Sequence, residues 1–150
     1  MQGSRNSGPK GSSPMIATPR AAATLVLICG SPDVGRVLMG TRAMTLDFMP
    51  GAAVFPGGRI EEREQQLSGL SVALAPGAPA EKFAAPIEIA ASAAVRELAE
   101  ETGLTLDELN LTTPLTCYAR AVTPPFSHKR YDTLFFAACC ALEPTSVPYH

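Results

Sequence analysis

The run Arg96-Glu97-Leu98-Ala99-Glu100-Glu101-Thr102-Gly103-Leu104 constrains this chain more than any other stretch. It crowds three carboxylates beside one arginine and ends in a glycine where a helix would stop. Upstream, Ile87, Ala91, Ala94, Val95 and Leu98 recur at helical spacing, so an amphipathic helix is expected over 87–102. Pro86 suits the first turn, Glu88 complements the positive end of the helix dipole, and Gly103 is a natural stop. Glu97, Glu100 and Glu101 then share a face away from the apolar stripe. Like charges so spaced repel by about 0.2–0.5 kcal/mol per pair. The cluster is costly unless a cation sits in it. Hard divalent ions such as Mg²⁺ take carboxylate oxygens and complete their shell with substrate phosphates. The pattern therefore points to a divalent-metal site in an enzyme acting on a diphosphate. The competing reading is a solvated acidic face with an Arg96 ion pair.

At these residues the chain resembles the Nudix hydrolase family. That signature reads Gly, five residues, Glu, seven residues, Arg-Glu-apolar-x-Glu-Glu-x-Gly-apolar. Glu88, seven residues, then Arg96 to Leu104 meet its second half. Gly57-Gly58, followed after five residues by Glu64, meets the first, and residues 65–86 read as an insertion between the halves. Ser68-Gly69 and Pro76-Gly77-Ala78-Pro79 mark turns within it, and a surface loop lengthens at small entropic cost. The resemblance implies an α/β (α+β) fold, the Nudix α/β/α sandwich with a mixed sheet. It implies a catalytic set of Arg96, Glu97, Glu100 and Glu101, with Mg²⁺ or Mn²⁺ held by Glu97, Glu100, Glu101 and Gly58. Arg96 corresponds to the family arginine that holds the carboxylates, and one of the glutamates acts as base on water. The glycine pair lets a backbone carbonyl approach the metal with no Cβ in the way.

Phe48-Met49-Pro50-Gly51 and the following Ala52-Ala53-Val54-Phe55-Pro56-Gly57-Gly58 look like the coenzyme A and acyl-CoA diphosphatase branch. Asp47 stands where the bacterial CoA motif has a second basic residue. The segment 123–133 resembles an acyl-CoA-type pattern in which Arg-aromatic-Asp-Thr leads into an aromatic strand. The candidate substrate residues are Arg42, Phe55, Lys129 and Arg130, with Tyr131 or Phe126 available to stack on a base. A solvated hairpin loop is the alternative for that segment, and His128 reads as exposed. The resemblance implies a metal-dependent hydrolase cleaving the diphosphate of a nucleoside diphosphate linked to another moiety, CoA-like substrates first. ADP-ribose or dinucleotide hydrolysis and a non-catalytic nucleotide-binding module are the alternatives.

At 150 residues the chain holds one domain at most. A formal charge of −2 gives no electrostatic reason to invoke nucleic acid or an anionic membrane, and no apolar run reaches spanning length. The partner is expected to be a small molecule, and a homodimer is left open. Residues 1–20 carry Arg5, Lys10 and Arg20, no acid, and much Ser, Gly and Pro, and are expected to be a disordered basic tail before a domain over 21–150. Four cysteines without a Cys-x-x-Cys pair argue against a zinc ribbon and fit a reducing intracellular, cytoplasmic setting, with an organellar one left open. Strands are expected at 22–29, 36–41, 52–55, 115–122 and 133–140, the first two joined by a turn over 31–35. Nothing after Cys140 reads as helix, so the domain is expected to lack the last strand and helix of its family. That would leave one sheet face uncovered.

Overall fold

Alternating side chains set the central strand pair. The computed structural model describes residues 16–30, 33–45 and 50–142. Within these, β1 (Arg20–Cys29) is followed by β2 (Arg36–Val37), β3 (Gly40–Thr41), β4 (Ala53–Val54), β5 (Gly57–Arg59) and β6 (Val72–Leu74). Then come α1 (Ile87–Thr102), α2 (Leu106–Leu109), β7 (Leu115–Val122) and β8 (Tyr131–Cys140). The first part of the expected tail, Ser31-Pro32, Asp47, Phe48-Met49 and the last eight positions lie outside the described residues.

Leu25, Leu27 and Cys29 of β1 and Leu134, Phe136, Ala138 and Cys140 of β8 point to one buried side. The two strands run parallel in unbroken register from Arg20↔Tyr131 to Cys29↔Cys140. The sheet order is β2-β1-β8-β7-β6, with β5 also on β1. Two short antiparallel strands thus share the outer edge of β1. β5 takes Ala22 to Thr24, while β2 takes Ile28 and Cys29 through the expected hairpin. β7 runs antiparallel to β8 with a bulge between Cys117 and Ala119. The sheet is mixed, as expected, and β3 and β4 form a separate pair.

The helix α1 spans the expected residues and ends on Gly103 in the left-handed conformation at φ 75°. Pro86 sits one place earlier than expected, at the N-cap rather than in the first turn. Ala90, Ala91, Ala93 and Ala94 are fully buried, and their small side chains let the helix axis approach the sheet. Leu109 of α2 joins the same core. The opposite sheet face, with Val26 and Ile28 of β1 and Phe135 of β8, is only half-buried.

The segment 65–86 is not all loop. Its β6 extends the sheet by pairing parallel to β7, Val72 against Leu115. Three residues flanked by turns carry too little periodicity to announce a strand. The segment is also tied to α1, where the buried Ser92 hydroxyl accepts from the Leu67 amide at 2.9 Å and donates to the Glu88 carbonyl at 2.7 Å.

Candidate active site

The strand β5 and the last two turns of α1 lie against each other, and their contact fixes the carboxylates. Leu25 N–H donates to the Pro56 carbonyl at 2.9 Å, and Ile60 N–H to the Ala21 carbonyl at 3.0 Å. Directly opposed residues in an antiparallel pair alternate between hydrogen-bonded and open sites. The Ala23–Gly58 pair, midway between those two, is therefore a hydrogen-bonded one, and Gly57 and Arg59 turn their peptide groups outward to α1. Both are used there. Gly57 N–H donates to Glu101 Oε2 at 3.3 Å, and the Arg59 carbonyl accepts from Arg96 Nη2 at 3.0 Å. Gly58, the expected source of a metal-facing carbonyl, has its backbone directed at Ala23; the outward carbonyl of the pair is that of Gly57.

Arg96 gathers the remaining acids. Its Nε donates to Glu64 Oε1 at 3.1 Å and its Nη2 to Glu64 Oε2 at 3.0 Å, a two-pronged contact. Its Nη1 donates to Glu97 Oε1 and Glu100 Oε1, both at 3.1 Å. The Glu64 side chain is 6% exposed, against 19% for Glu97 and 58% for Glu100, so Glu64 is the buried anchor and Glu100 the outer arm. Bonding to Glu64 holds the Arg96 guanidinium charged well above its ordinary range, against the opposing effect of partial burial. Glu100 and Glu97 add to it. The glutamate that meets Arg96 is thus Glu64, on the far side of residues 65–86, and not Glu88, whose spacing also satisfies the signature. Its own signal was the Gly58, five residues, Glu64 spacing.

A Cβ on Gly58 would overlap the Glu97 carboxylate, so glycine leaves the space that this carboxylate fills. Among the described residues, no three His, Cys, Asp or Glu side chains converge as a ready metal cage. Arg96 draws Glu97 and Glu100 to itself while Glu101 turns to the Gly57 amide. In kind, the donors suit a hard divalent ion, being carboxylate oxygens beside an outward peptide carbonyl and a gap kept free of Cβ.

Beside Glu97 opens a cleft of about 800 Å³, lined also by Arg20, Arg59, Arg63, Glu61 and Glu62. Of the candidate substrate residues, neither Arg42 nor Phe55 lines it. Both are half-buried, and Arg42 exchanges backbone bonds with Ala52 and Gly51 next to the β3–β4 pair. Lys129 and Arg130 line a neighbouring cleft of about 600 Å³. Lys129 is exposed, whereas Arg130 is spent on the backbone, Nε to the Thr123 carbonyl at 3.0 Å and Nη1 to the Ala17 carbonyl at 2.7 Å. Phe126 is exposed, as is His128.

A Nudix hydrolase from Alicyclobacillus acidocaldarius superposes on this chain with a TM-score of 0.68 and 25% identity, covering 91% of this chain and 76% of that one. The fold is that of the Nudix hydrolases. An Ap4A hydrolase from C. elegans is similar at a TM-score of 0.55 and 17% identity, covering 87% and 72% of the two chains. The NUDIX domain of Shewanella oneidensis NrtR, solved with ADP ribose, is similar at 0.51 and 14%, covering 89% and 71%. No protein-family model matches the chain, and no curated protein matches it. The Nudix neighbours, on a fold that sets an Arg-Glu-x-x-Glu-Glu helix against a glycine strand, support an enzyme of the Nudix pyrophosphohydrolase kind. No described helix is long and apolar enough to cross a membrane.

Proposed function

We propose that this chain is a metal-dependent hydrolase that cleaves the diphosphate bond of a nucleoside diphosphate linked to another moiety. One observation carries the reading. Arg96 binds Glu64 with one side of its guanidinium and collects Glu97 and Glu100 with the other, while the Gly57 amide takes Glu101. A structural ion pair needs one carboxylate, and four gathered around one strand end is a costly arrangement without a cationic guest. Glu97, Glu100 and Glu101, with the outward Gly57 carbonyl, would hold Mg²⁺ or Mn²⁺. Such an ion neutralises phosphate oxygens and lowers the pKa of bound water. The protein's own part is positional. Arg96 is a positioning residue that fixes the directions of two carboxylates, and one of Glu97, Glu100 and Glu101 would serve as base on the attacking water instead of as a ligand.

CoA-like substrates are the favoured class, on the run from Pro50 to Gly58 and on the Lys129 and Arg130 loop. ADP-ribose or dinucleotide hydrolysis is the second reading, favoured by neighbours solved as an Ap4A hydrolase and with ADP ribose. The proposed setting is a reducing, intracellular one. Incubation of CoA, ADP-ribose, NADH and diadenosine tetraphosphate with Mg²⁺ or Mn²⁺, followed by product analysis, tests the proposal. Cleavage at the diphosphate that is lost in Glu97→Gln and Glu101→Gln supports it. Absence of turnover with every substrate, or turnover untouched in both variants, overturns it.

A further inference from the structure

The second cleft has an unusual charge census. Arg20, Arg59, Lys129 and Arg130 line it together with His128 and Tyr131, and no carboxylate does. Four of the chain's 12 Lys and Arg residues thus meet in one recess, in a chain whose acids outnumber its bases 14 to 12. They come from three separate segments. Arg20 opens β1 and stands in register with Tyr131, Arg59 closes β5, and the other two belong to the loop before β8. Ala22 is paired with Arg59, so Arg20 and Arg59 occupy diagonal positions on one sheet face, where like charges repel. No ion pair joins Arg20, Arg59 or Lys129 to a described carboxylate. Arg130 is held by the Ala17 and Thr123 carbonyls, so the wall of the recess is braced before any ligand arrives.

The geometry points to a phosphate subsite: this recess binds a phosphate group of the substrate other than the diphosphate being cleaved. The inference rests on the hydrolase reading of the carboxylate site and adds the substrate class, a nucleotide carrying an additional phosphate. Two features tie the recess to that site. Arg20 and Arg59 line both clefts, and the carbonyl of Arg59 is fixed by Arg96 in the middle of the carboxylates. A ligand whose diphosphate lies beside Glu97 would direct its next phosphate into a recess that shares Arg20 and Arg59 with that cleft. Arginine forks match phosphate oxygens in pairs, and Tyr131 adds a ring beside them.

Calorimetry of the full chain without divalent ion tests this, because it reads binding and not cleavage. AMP, adenosine 3′,5′-bisphosphate and ATP are compared in the wild type and in the Arg20→Ala/Lys129→Ala double variant. Both side chains are exposed, so circular dichroism of the variant is expected to match the wild type. The bisphosphate or ATP is expected to bind at least about tenfold more tightly than AMP at low salt, with that gain lost in the double variant. A gain with the bisphosphate assigns the group to a ribose monoester, and a gain with ATP alone assigns it to a longer phosphate chain. Equal affinity for all three, or a gain that survives in the double variant, overturns the inference. A wild type that prefers the bisphosphate yet cleaves no diphosphate would remove the hydrolase reading and leave the phosphate subsite standing.

Discussion

Arg96 and Glu64, 32 positions apart, meet through two parallel hydrogen bonds of 3.1 and 3.0 Å. Glu88 stands at the signature spacing from Arg96 and Glu64 at the signature spacing from Gly58, and of these two it is Glu64 that bonds Arg96. Residues 65–86 have anchor points of their own, in the Ser92–Leu67 bond and the β6–β7 pairing, and Glu64 precedes them.

Glu64→Gln is expected to lower stability by about 1–3 kcal/mol, since it weakens a charge-assisted pair and leaves a partly buried guanidinium under-satisfied. It should lower turnover as well, because Arg96 is then free to swing away from Glu97 and Glu100. Glu88→Gln loses only a dipole contact worth up to about 1 kcal/mol and should leave turnover near wild type. Urea melts and rate measurements on the pair decide which glutamate serves the site.

Alanine at the two adjacent glycines should fail in different ways. A Cβ on Gly57 would lie 2.6 Å from the Ala23 carbonyl oxygen and 2.8 Å from Thr24 Cα, so rigid backbone must shift and the fold is destabilised. A Cβ on Gly58 meets instead the Glu97 carboxylate, the far end of a flexible side chain. Gly58→Ala should therefore melt close to wild type while losing turnover. Similar losses of stability in both would show that Glu97 is less movable than its contacts suggest.

Arg120 grips Asp132 across β7 and β8 with two hydrogen bonds of 2.7 Å, and its guanidinium carbon lies 5.9 Å from the centre of the Phe83 ring in the segment before α1. The side chains are 19% and 15% exposed, which keeps the pair from the negligible value of a surface ion pair. A double-mutant cycle over Arg120→Ala and Asp132→Ala is expected to return a coupling of about 1–2 kcal/mol. Phe83→Leu should leave that coupling intact while loosening residues 75–86, visible as faster amide exchange.

The Cys29 thiol stands 3.2 Å from that of Cys140, and burial, followed by this neighbour, pushes it up from 9.0 to about 12. The folded state keeps a proton that the unfolded chain gives up first. This group's contribution is therefore complete below about pH 9 and is lost as pH rises towards about 12. Burial also raises Cys117 and Tyr118, which steepens the same decline. Urea midpoints measured from about pH 8 to about pH 11 should fall, with a shallower slope in Cys29→Ala. An unchanged slope in that variant would reject Cys29 as a contributor.

Local signals carried some elements in full and others not at all. The limits of α1 are readable because periodicity and a first-turn acid lie within the helix and Pro86 and Gly103 flank it directly. Thr105-x-x-Glu108 is a signal of the same kind: a reciprocal capping box opens α2. The expected strand 36–41 divides into β2 and β3, which serve different sheets, and β5 and β6 are too short to show a period.

By itself the sequence determined that three glutamates and an arginine share one helix face, because 3.6 residues per turn leaves no other arrangement. It equally determined the alternating strands that form the core. Which glutamate reaches Arg96, which glycine turns its peptide outward, and that Arg20, Arg59 and Lys129 share a recess were decided only by tertiary structure. Those outcomes depend on strand register and on pairings between residues dozens of positions apart, and a register shift of one residue would reverse every facing involved.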